Sequence, residues 1–218
     1  VATGLSRSLN PRKALIFRIT HLENLPWLLA HGLYCRSAAE QDPRFISIGK
    51  QELIAKRATR TVPIPPGGVL GDYVPFYFTP ASMMLYNIVT GHGVARQSRE
   101  DIVVLVSSLP HLQQLGVPFV FTDRHAYLAN AEFSSRLEDL AEFVPWELLQ
   151  AKEFKRDLEN PDKTDRYQTE ALVHRHLPAS ALLGIGTYTE AVRAAVVAQM
   201  AAHNLQLKVL TRPNWFFR

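Results

Sequence analysis

Glu170 opens the strand-like run Glu170-Ala171-Leu172-Val173 just after a highly charged stretch. A lone carboxylate is costly to bury unless it has a partner or a task. Read alone, Glu170 is either a reacting carboxylate or half of a structural ion pair. Arg57 and Arg60 stand three apart in Lys56-Arg57-Ala58-Thr59-Arg60. Guanidinium groups match phosphate oxygens two at a time, so this pair suits a pyrophosphate, or it simply faces solvent. His174 and His176 flank Arg175; on a strand both would face one side and reach one metal. No third ligand is near in sequence, so surface or half-buried histidines are the simpler reading. Tyr73, Phe76, Tyr77, Phe78 and Tyr86 crowd a short region, which means a stacking platform or, more commonly, core. No GxGxxG, Walker-type or HExxH pattern occurs, which removes the usual dinucleotide, P-loop and zincin readings. Gly184-Ile185-Gly186 lacks a third glycine and reads as structural.

The elements must place these groups within one modest chain. Its 218 residues suit one domain with a sizeable core. A hydrophobic content of 47% with 20% charged residues is too apolar for disorder. The one cysteine, Cys35, excludes an intrachain disulfide framework and paired-cysteine zinc sites. No run approaches the ~18 apolar residues of a membrane span, and residues 1–13 do not read as a secretory signal. A cytoplasmic protein without membrane contact is the expectation. The net charge of +4 is uneven. Residues 1–60 hold ten Lys/Arg and four Asp/Glu (net +6); residues 61–218 hold fourteen and sixteen (net −2). A basic first third points to an anionic ligand, a nucleic acid or phosphate, or to a solvated face.

Residues 1–14 read as a flexible arm and 15–218 as the domain. Strands are expected over 15–20, 73–78, 102–106, 119–121, 168–174, 182–188 and 205–210. Helices are expected over 22–31 (Thr20 capping, with Glu23 completing a capping box), 82–89, 108–115, 126–143 and 189–203. Phe133, Leu137 and Leu140 supply the helical period in 126–143. Residues 36–72 read as a long ordered loop with a helical turn over 50–56; a compact domain rarely keeps so long a connection without a use for it. Strands and helices alternate without a βαβ rhythm. The expected class is α+β, a split and mostly antiparallel sheet with surrounding helices in a single domain.

Several blocks, in this order, resemble the DarT family, the DNA ADP-ribosyltransferase toxins of DarT–DarG toxin–antitoxin systems. They are Phe17-Arg18-Ile19-Thr20-His21 with Glu23-Asn24-Leu25, Ile46-Ser47-Ile48 with Lys56-Arg57, and Val62-Pro63 with Pro65-Pro66-Gly67-Gly68-Val69-Leu70. Asp72-Tyr73-Val74-Pro75-Phe76-Tyr77-Phe78, Met84-Leu85-Tyr86, Phe119-Val120-Phe121-Thr122-Asp123, Gln168-Thr169-Glu170 and Gly184-Ile185-Gly186 continue the match. The likeness runs from about residue 15 to 190. It implies an ADP-ribosyltransferase fold with NAD as co-substrate, no metal, and ADP-ribose transfer to a base in single-stranded DNA. The base is typically thymine, nicotinamide is released, and replication is blocked.

Carried over residue by residue, the resemblance makes Arg57 and Glu170 catalytic. It assigns Arg18, Ile19, Thr20, Trp27, Cys35 and Arg57 to NAD. Residues 41–59 would fold over NAD, and 129–170 would carry the target-recognition turn. DNA contacts are implied for Ala81, Ser82, Met83, Met84, Leu85 and Tyr86, for Lys155, Arg156, Asp157 and Leu158, and for Thr164, Asp165, Arg166, Tyr167 and Gln168. Stacking by Tyr86 or Tyr167 suits that strip. A histidine is usual where Arg18 stands, an arginine at Ala81 and a proline at Met83. The implied partners are single-stranded DNA and a macrodomain antitoxin, with the enzyme itself a monomer.

On this reading Glu170 stabilises positive charge developing on the ribose as nicotinamide leaves. Arg57 either holds the phosphates or serves the thymine, as base or as stabiliser of its anion; with a pKa above ~12 it is a poor base. The alternatives are transfer to guanine or to an RNA acceptor, and a non-catalytic nucleic-acid-binding domain.

Overall fold

A computed structural model of the chain describes residues 6–203 and 205–217. Strand β1 spans Leu15–His21 and is followed by helix α1, Leu25–His31. Strand β2, Leu33–Tyr34, precedes the long 36–72 connection, which carries α2, Gln51–Arg57. Then come β3 (Tyr73–Tyr77), α3 (Met83–Thr90), β4 (Ile102–Ser108), α4 (Leu109–Gln114) and β5 (Phe119–Thr122). The second half adds β6 (Phe133–Ser134), α5 (Leu140–Phe143), α6 (Trp146–Ala151) and α7 (Lys163–Tyr167). It closes with β7 (Glu170–His174), β8 (His176–Leu177), β9 (Gly184–Thr187), α8 (Glu190–Ala201) and β10 (Lys208–Thr211).

Eight strands form one sheet in the order β10-β9-β4-β1-β3-β7-β5-β6, antiparallel except for β9–β10. The sheet is split in the middle. β1 pairs with β4 over seven positions, and β3 with β7 over five, but β1 and β3 share the single register pair Phe17↔Tyr77. Beyond Phe17 the two halves splay, and the edge of β1 facing β3 opens into a cleft. Arg18 bridges the split by donating from Nη1 to the Pro75 carbonyl, 2.8 Å away. Along β3 the two faces divide by the strand period: Val74 and Phe76 enter the core, while Tyr73, Pro75 and Tyr77 face the cleft.

The expected α+β split sheet is therefore present, and several boundaries shift. Thr20 is not a cap: His21 caps the 3₁₀ turn Leu22–Asn24 that leads into α1, its Nδ1 accepting from the Glu23 N–H, and Thr20 Oγ1 instead accepts from Asn24. Gly32 ends α1 with φ +83°. Residues 126–143 are not one helix. Phe133 lies in β6, Leu137 in a 3₁₀ turn and Leu140 at the start of a short helix. Side-chain bonds hold this run open: Asp123 accepts from the Glu132 N–H, and Ser134 Oγ donates to Asp139. The described part of the 1–14 stretch is packed: Leu9 and Ala14 are buried, and Gln150 donates to the Leu9 carbonyl at 2.7 Å. Residues 1–5 lie outside the described residues.

Candidate active site

Glu170 sits at the first position of β7, opposite Tyr77 in the register, and is 1% exposed. Its carboxylate accepts three hydrogen bonds. Arg57 donates Nη1 to Oε1 at 2.8 Å and Nη2 to Oε2 at 2.6 Å, a bidentate pair bridging 113 residues of sequence. The Ala126 N–H adds a bond to Oε1 at 3.0 Å. By lone-pair count, one acceptor site remains on Oε2. Burial alone would push the carboxyl pKa up, but the Arg57 charge, its hydrogen bonds and the Ala126 N–H hold it below the usual carboxylate range. Burial works against the Arg57 charge too; Glu170 outweighs it and raises the guanidinium pKa further.

His125 Nδ1 lies 3.4 Å from Glu170 Oε1, yet it accepts the Tyr127 N–H at 3.2 Å. Its ring proton therefore belongs on Nε2. Burial lowers the His125 pKa, so the ring is neutral near pH 7 and presents a donor. Sequence reading missed this residue; its only sign was its place two residues after the matched Phe119-Val120-Phe121-Thr122-Asp123 block. Tyr77 completes the surround, its phenol pushed up to about 12 by burial and then by Glu170.

A cavity of about 290 Å³ lies over this cluster in the sheet split. Arg18, Ile19, Thr20 and Trp27 line it as expected, together with Arg57 and Glu170. Three consecutive β1 residues line it because the cleft meets the open edge of the strand, where main-chain groups are offered. Arg18 has its pKa lowered to about 10 by burial and, beyond that, by Arg57, with Tyr77 opposing the drop. One of its five N–H donors reaches Pro75, which leaves donors for an anion. Trp27 and Tyr34 add aromatic wall, their rings 5.8 Å apart. Arg36 also lines the cavity, so its three arginines come from the basic first third.

The roof is the 36–72 connection. Asn24 holds it down by accepting the Ile46 N–H at 2.8 Å and donating to the Ile46 carbonyl at 2.9 Å. Its far end is closed by the Thr61↔Val69 bridge and by Gly67 and Gly68, both at φ near +80°, which favours glycine. A Cβ at Gly68 would also strike Asp72 Oδ2 at 2.5 Å.

Other expected residues are placed differently. Cys35 does not line the cavity; it is buried, its sulfur 3.4 Å from Ser37 Oγ. Arg60 is not in the cavity wall and donates to the Leu128 and Ala129 carbonyls at 3.1 and 3.3 Å, tying the roof to the segment after β5. His174 and His176 do not share a strand face, because Arg175 between them takes φ +64°. Among the described residues no group of three or more His, Cys, Asp or Glu is placed to hold a metal ion.

The implied DNA strip is partly buried. Ala81, Ser82, Leu85 and Tyr167 are inside the protein, and the Tyr167 hydroxyl donates to the Ala81 carbonyl at 2.8 Å. Tyr167 is therefore core, not a stacking surface, because its hydroxyl finds a partner only inward. Tyr86 packs against Phe154 and Phe217, and Phe154 against Tyr167. This aromatic cluster brings the three expected segments together. Met83, Met84, Asp157, Thr164, Asp165, Arg166 and Gln168 are half-buried, Lys155 and Arg156 exposed, and Leu158 is 95% exposed.

A sheet split over a buried carboxylate, with arginines lining a nucleotide-sized cleft, is the arrangement of an ADP-ribosyltransferase. Comparisons with known proteins narrow that class. The family model for DarT, ssDNA thymidine ADP-ribosyltransferase, matches residues 17–217. A DNA ADP-ribosyl transferase of Escherichia coli is 47% identical over 218 residues, covering all of both chains. The solved structure of Thermus sp. 2.9 DarT in complex with ADP-ribosylated ssDNA superimposes with a TM-score of 0.86 at 34% identity, over 95% of this chain and 98% of that one. The same Thermus protein in complex with NAD+ gives a TM-score of 0.82 at 35% identity, over 95% and 99%. The chain belongs to the DarT family of NAD-dependent DNA ADP-ribosyltransferases.

Proposed function

We infer that this chain transfers ADP-ribose from NAD to thymine in single-stranded DNA. The observation that carries the reading is the Arg57–Glu170 pair, held in the sheet split beneath the cavity. NAD supplies the ADP-ribosyl group, with nicotinamide as its leaving group. The cavity suits such a molecule: Arg18 has spare donors for phosphate oxygens, β1 offers main-chain groups, and Trp27 and Tyr34 offer ring faces.

Glu170 stays ionised and places negative charge where positive charge builds on the sugar. Its remaining Oε2 lone pair is available to a ribose hydroxyl without breaking the ion pair. Arg57 cannot serve as a base while Glu170 raises its pKa. It instead stabilises the thymine anion, so that the ring nitrogen loses its proton to water more easily as it bonds to the ribose carbon and nicotinamide leaves. Single-stranded substrate follows from access, since that ring nitrogen is hidden in a duplex.

Further readings accompany this one. Sequence-specific modification of thymine would block replication and make the protein a toxin, countered by a macrodomain antitoxin that removes the ADP-ribose. The enzyme works as a cytoplasmic monomer; none of its described helices is long and apolar enough to cross a membrane. DNA binding rests on a few local groups such as Lys155 and Arg156, and is weak and salt-sensitive. The test compares single- and double-stranded oligonucleotides of matched sequence by mass spectrometry, with NAD present. A mass increase on thymine in the single strand is expected. Equal rates on duplex, or labelling confined to guanine or RNA, would overturn the reading.

A further inference from the structure

Arg60 suits a pyrophosphate by type, yet it does not line the cavity. Its side chain is half-buried, and its Nε is shielded from water without a hydrogen-bond partner. What the guanidinium grips is main chain: Nη2 donates to the Leu128 and Ala129 carbonyls at 3.1 and 3.3 Å. Drawing a guanidinium out of water costs free energy, and charge-assisted bonds to carbonyls offset that cost. A head group held in this way fixes the chain it grips.

Arg60 stands between the two members of the catalytic pair. On the roof side its N–H donates to the Arg57 carbonyl at 3.1 Å, and its carbonyl accepts the Leu70 N–H at 2.8 Å. On the floor side lies the turn 125–128, closed by the Leu128 N–H donating to the His125 carbonyl at 3.0 Å. Within that turn Ala126 is buried, and its N–H donates to Glu170 Oε1 at 3.0 Å. Val62 and Leu70 of the roof share a small apolar cluster with Ala126 and with Leu172 of β7. Apolar packing is non-directional, so the cluster brings roof and turn together without aiming the Ala126 N–H. The Arg60 hydrogen bonds are directional and supply the missing constraint.

The aim of that N–H matters for the carboxylate. Oε1 receives Arg57 Nη1 and the Ala126 N–H, whereas Oε2 receives Arg57 Nη2 alone. With Oε1 filled from two sides, the group is held against rotation and the open lone pair stays on Oε2. We propose that Arg60 is a positioning residue: bracing the 125–128 turn from the roof, it keeps the Ala126 N–H on Glu170 Oε1 and leaves Oε2 for the ribose. The proposal rests on the ADP-ribosyl-transfer reading above. Arg60 touches no reacting group in it and acts on Glu170 through Ala126.

The test measures kcat and the KM for NAD, with a thymine-containing single-stranded oligonucleotide, in wild type, Arg60→Met and Arg60→Lys. Amide exchange at Ala126 is followed in parallel by NMR. Arg60→Met keeps the apolar stem and removes the donors; Arg60→Lys restores a charged donor. The expected result is a kcat loss of about tenfold or more in Arg60→Met, KM within about twofold of wild type, and partial recovery in Arg60→Lys. The Ala126 N–H should exchange about tenfold faster in Arg60→Met than in wild type. Wild-type kcat in Arg60→Met, a loss carried by KM alone, or unchanged exchange at Ala126 would overturn the proposal. So would an Arg60→Lys enzyme no faster than Arg60→Met. If wild-type enzyme labels no thymine oligonucleotide, the functional reading itself fails, while Ala126 exchange still decides whether Arg60 braces the turn.

Discussion

The floor and the roof of the cleft hold their key residues in opposite ways. Glu170 belongs to β7, a strand paired on both sides, and its position follows from sheet register. Arg57 ends α2, a seven-residue helix with no buried residue, inside a connection pinned at few points. The floor is fixed by packing, whereas the roof is held partly by the ion pair itself. Glu170 therefore has two tasks. On the proposed reading it stabilises charge in the reaction, and through the ion pair it clamps the segment that delivers its partner.

The sharpest way to break this contrast is Arg57→Ala. It leaves Glu170 buried and unpaired, which should cost about 3 kcal/mol of stability and lower transfer by about a hundredfold or more. Thermal unfolding and oligonucleotide labelling would report both; an unchanged midpoint would show that the pair does not clamp the roof. Asn24→Ala removes a second anchor, the two bonds to Ile46. The expected outcome is a severalfold higher KM for NAD with kcat little changed, plus a stability loss of about 1–2 kcal/mol. A KM equal to wild type would place the roof's anchorage elsewhere.

The smallest expected effect is pH dependence. Burial lowers the His125 pKa in the fold, so on acidification the unfolded chain takes up that proton first. Stability from this group is complete above about pH 6.5 and is lost as pH falls toward the folded value. His174, also lowered by burial, adds in the same direction. Thermal midpoints between pH 7.5 and 5.5 should fall, less steeply in His125→Gln; a flat profile in the wild type would contradict the buried neutral ring.

The same contrast explains what the sequence made legible. Floor strands carry their signal locally: the apolar run 102–106 is a strand, and helices start close to the expected 82, 108 and 189, where Ser82, Ser108 and Thr189 prove to be the caps. The sheet split could be expected as a class, but not its location, since a single pair between β1 and β3 is a tertiary outcome. The apolar spacing of Phe133, Leu137 and Leu140 imitates a helix because each packs from a different element. Tyr167 looked like a stacking ring because aromatic type does not reveal which way a side chain faces. Arg57 and Glu170 are separated by 113 positions, and only family resemblance joined them before the structure did. His125 carried no motif; its place beside the Glu170 carboxylate is a tertiary outcome.

The most direct measurement is single-turnover labelling of a thymine-containing single-stranded oligonucleotide by wild type and Glu170→Gln, with NAD affinity measured alongside. Removing the charge while keeping the shape should abolish detectable transfer and leave NAD affinity largely intact. Transfer by Glu170→Gln at a rate near wild type would contradict the account.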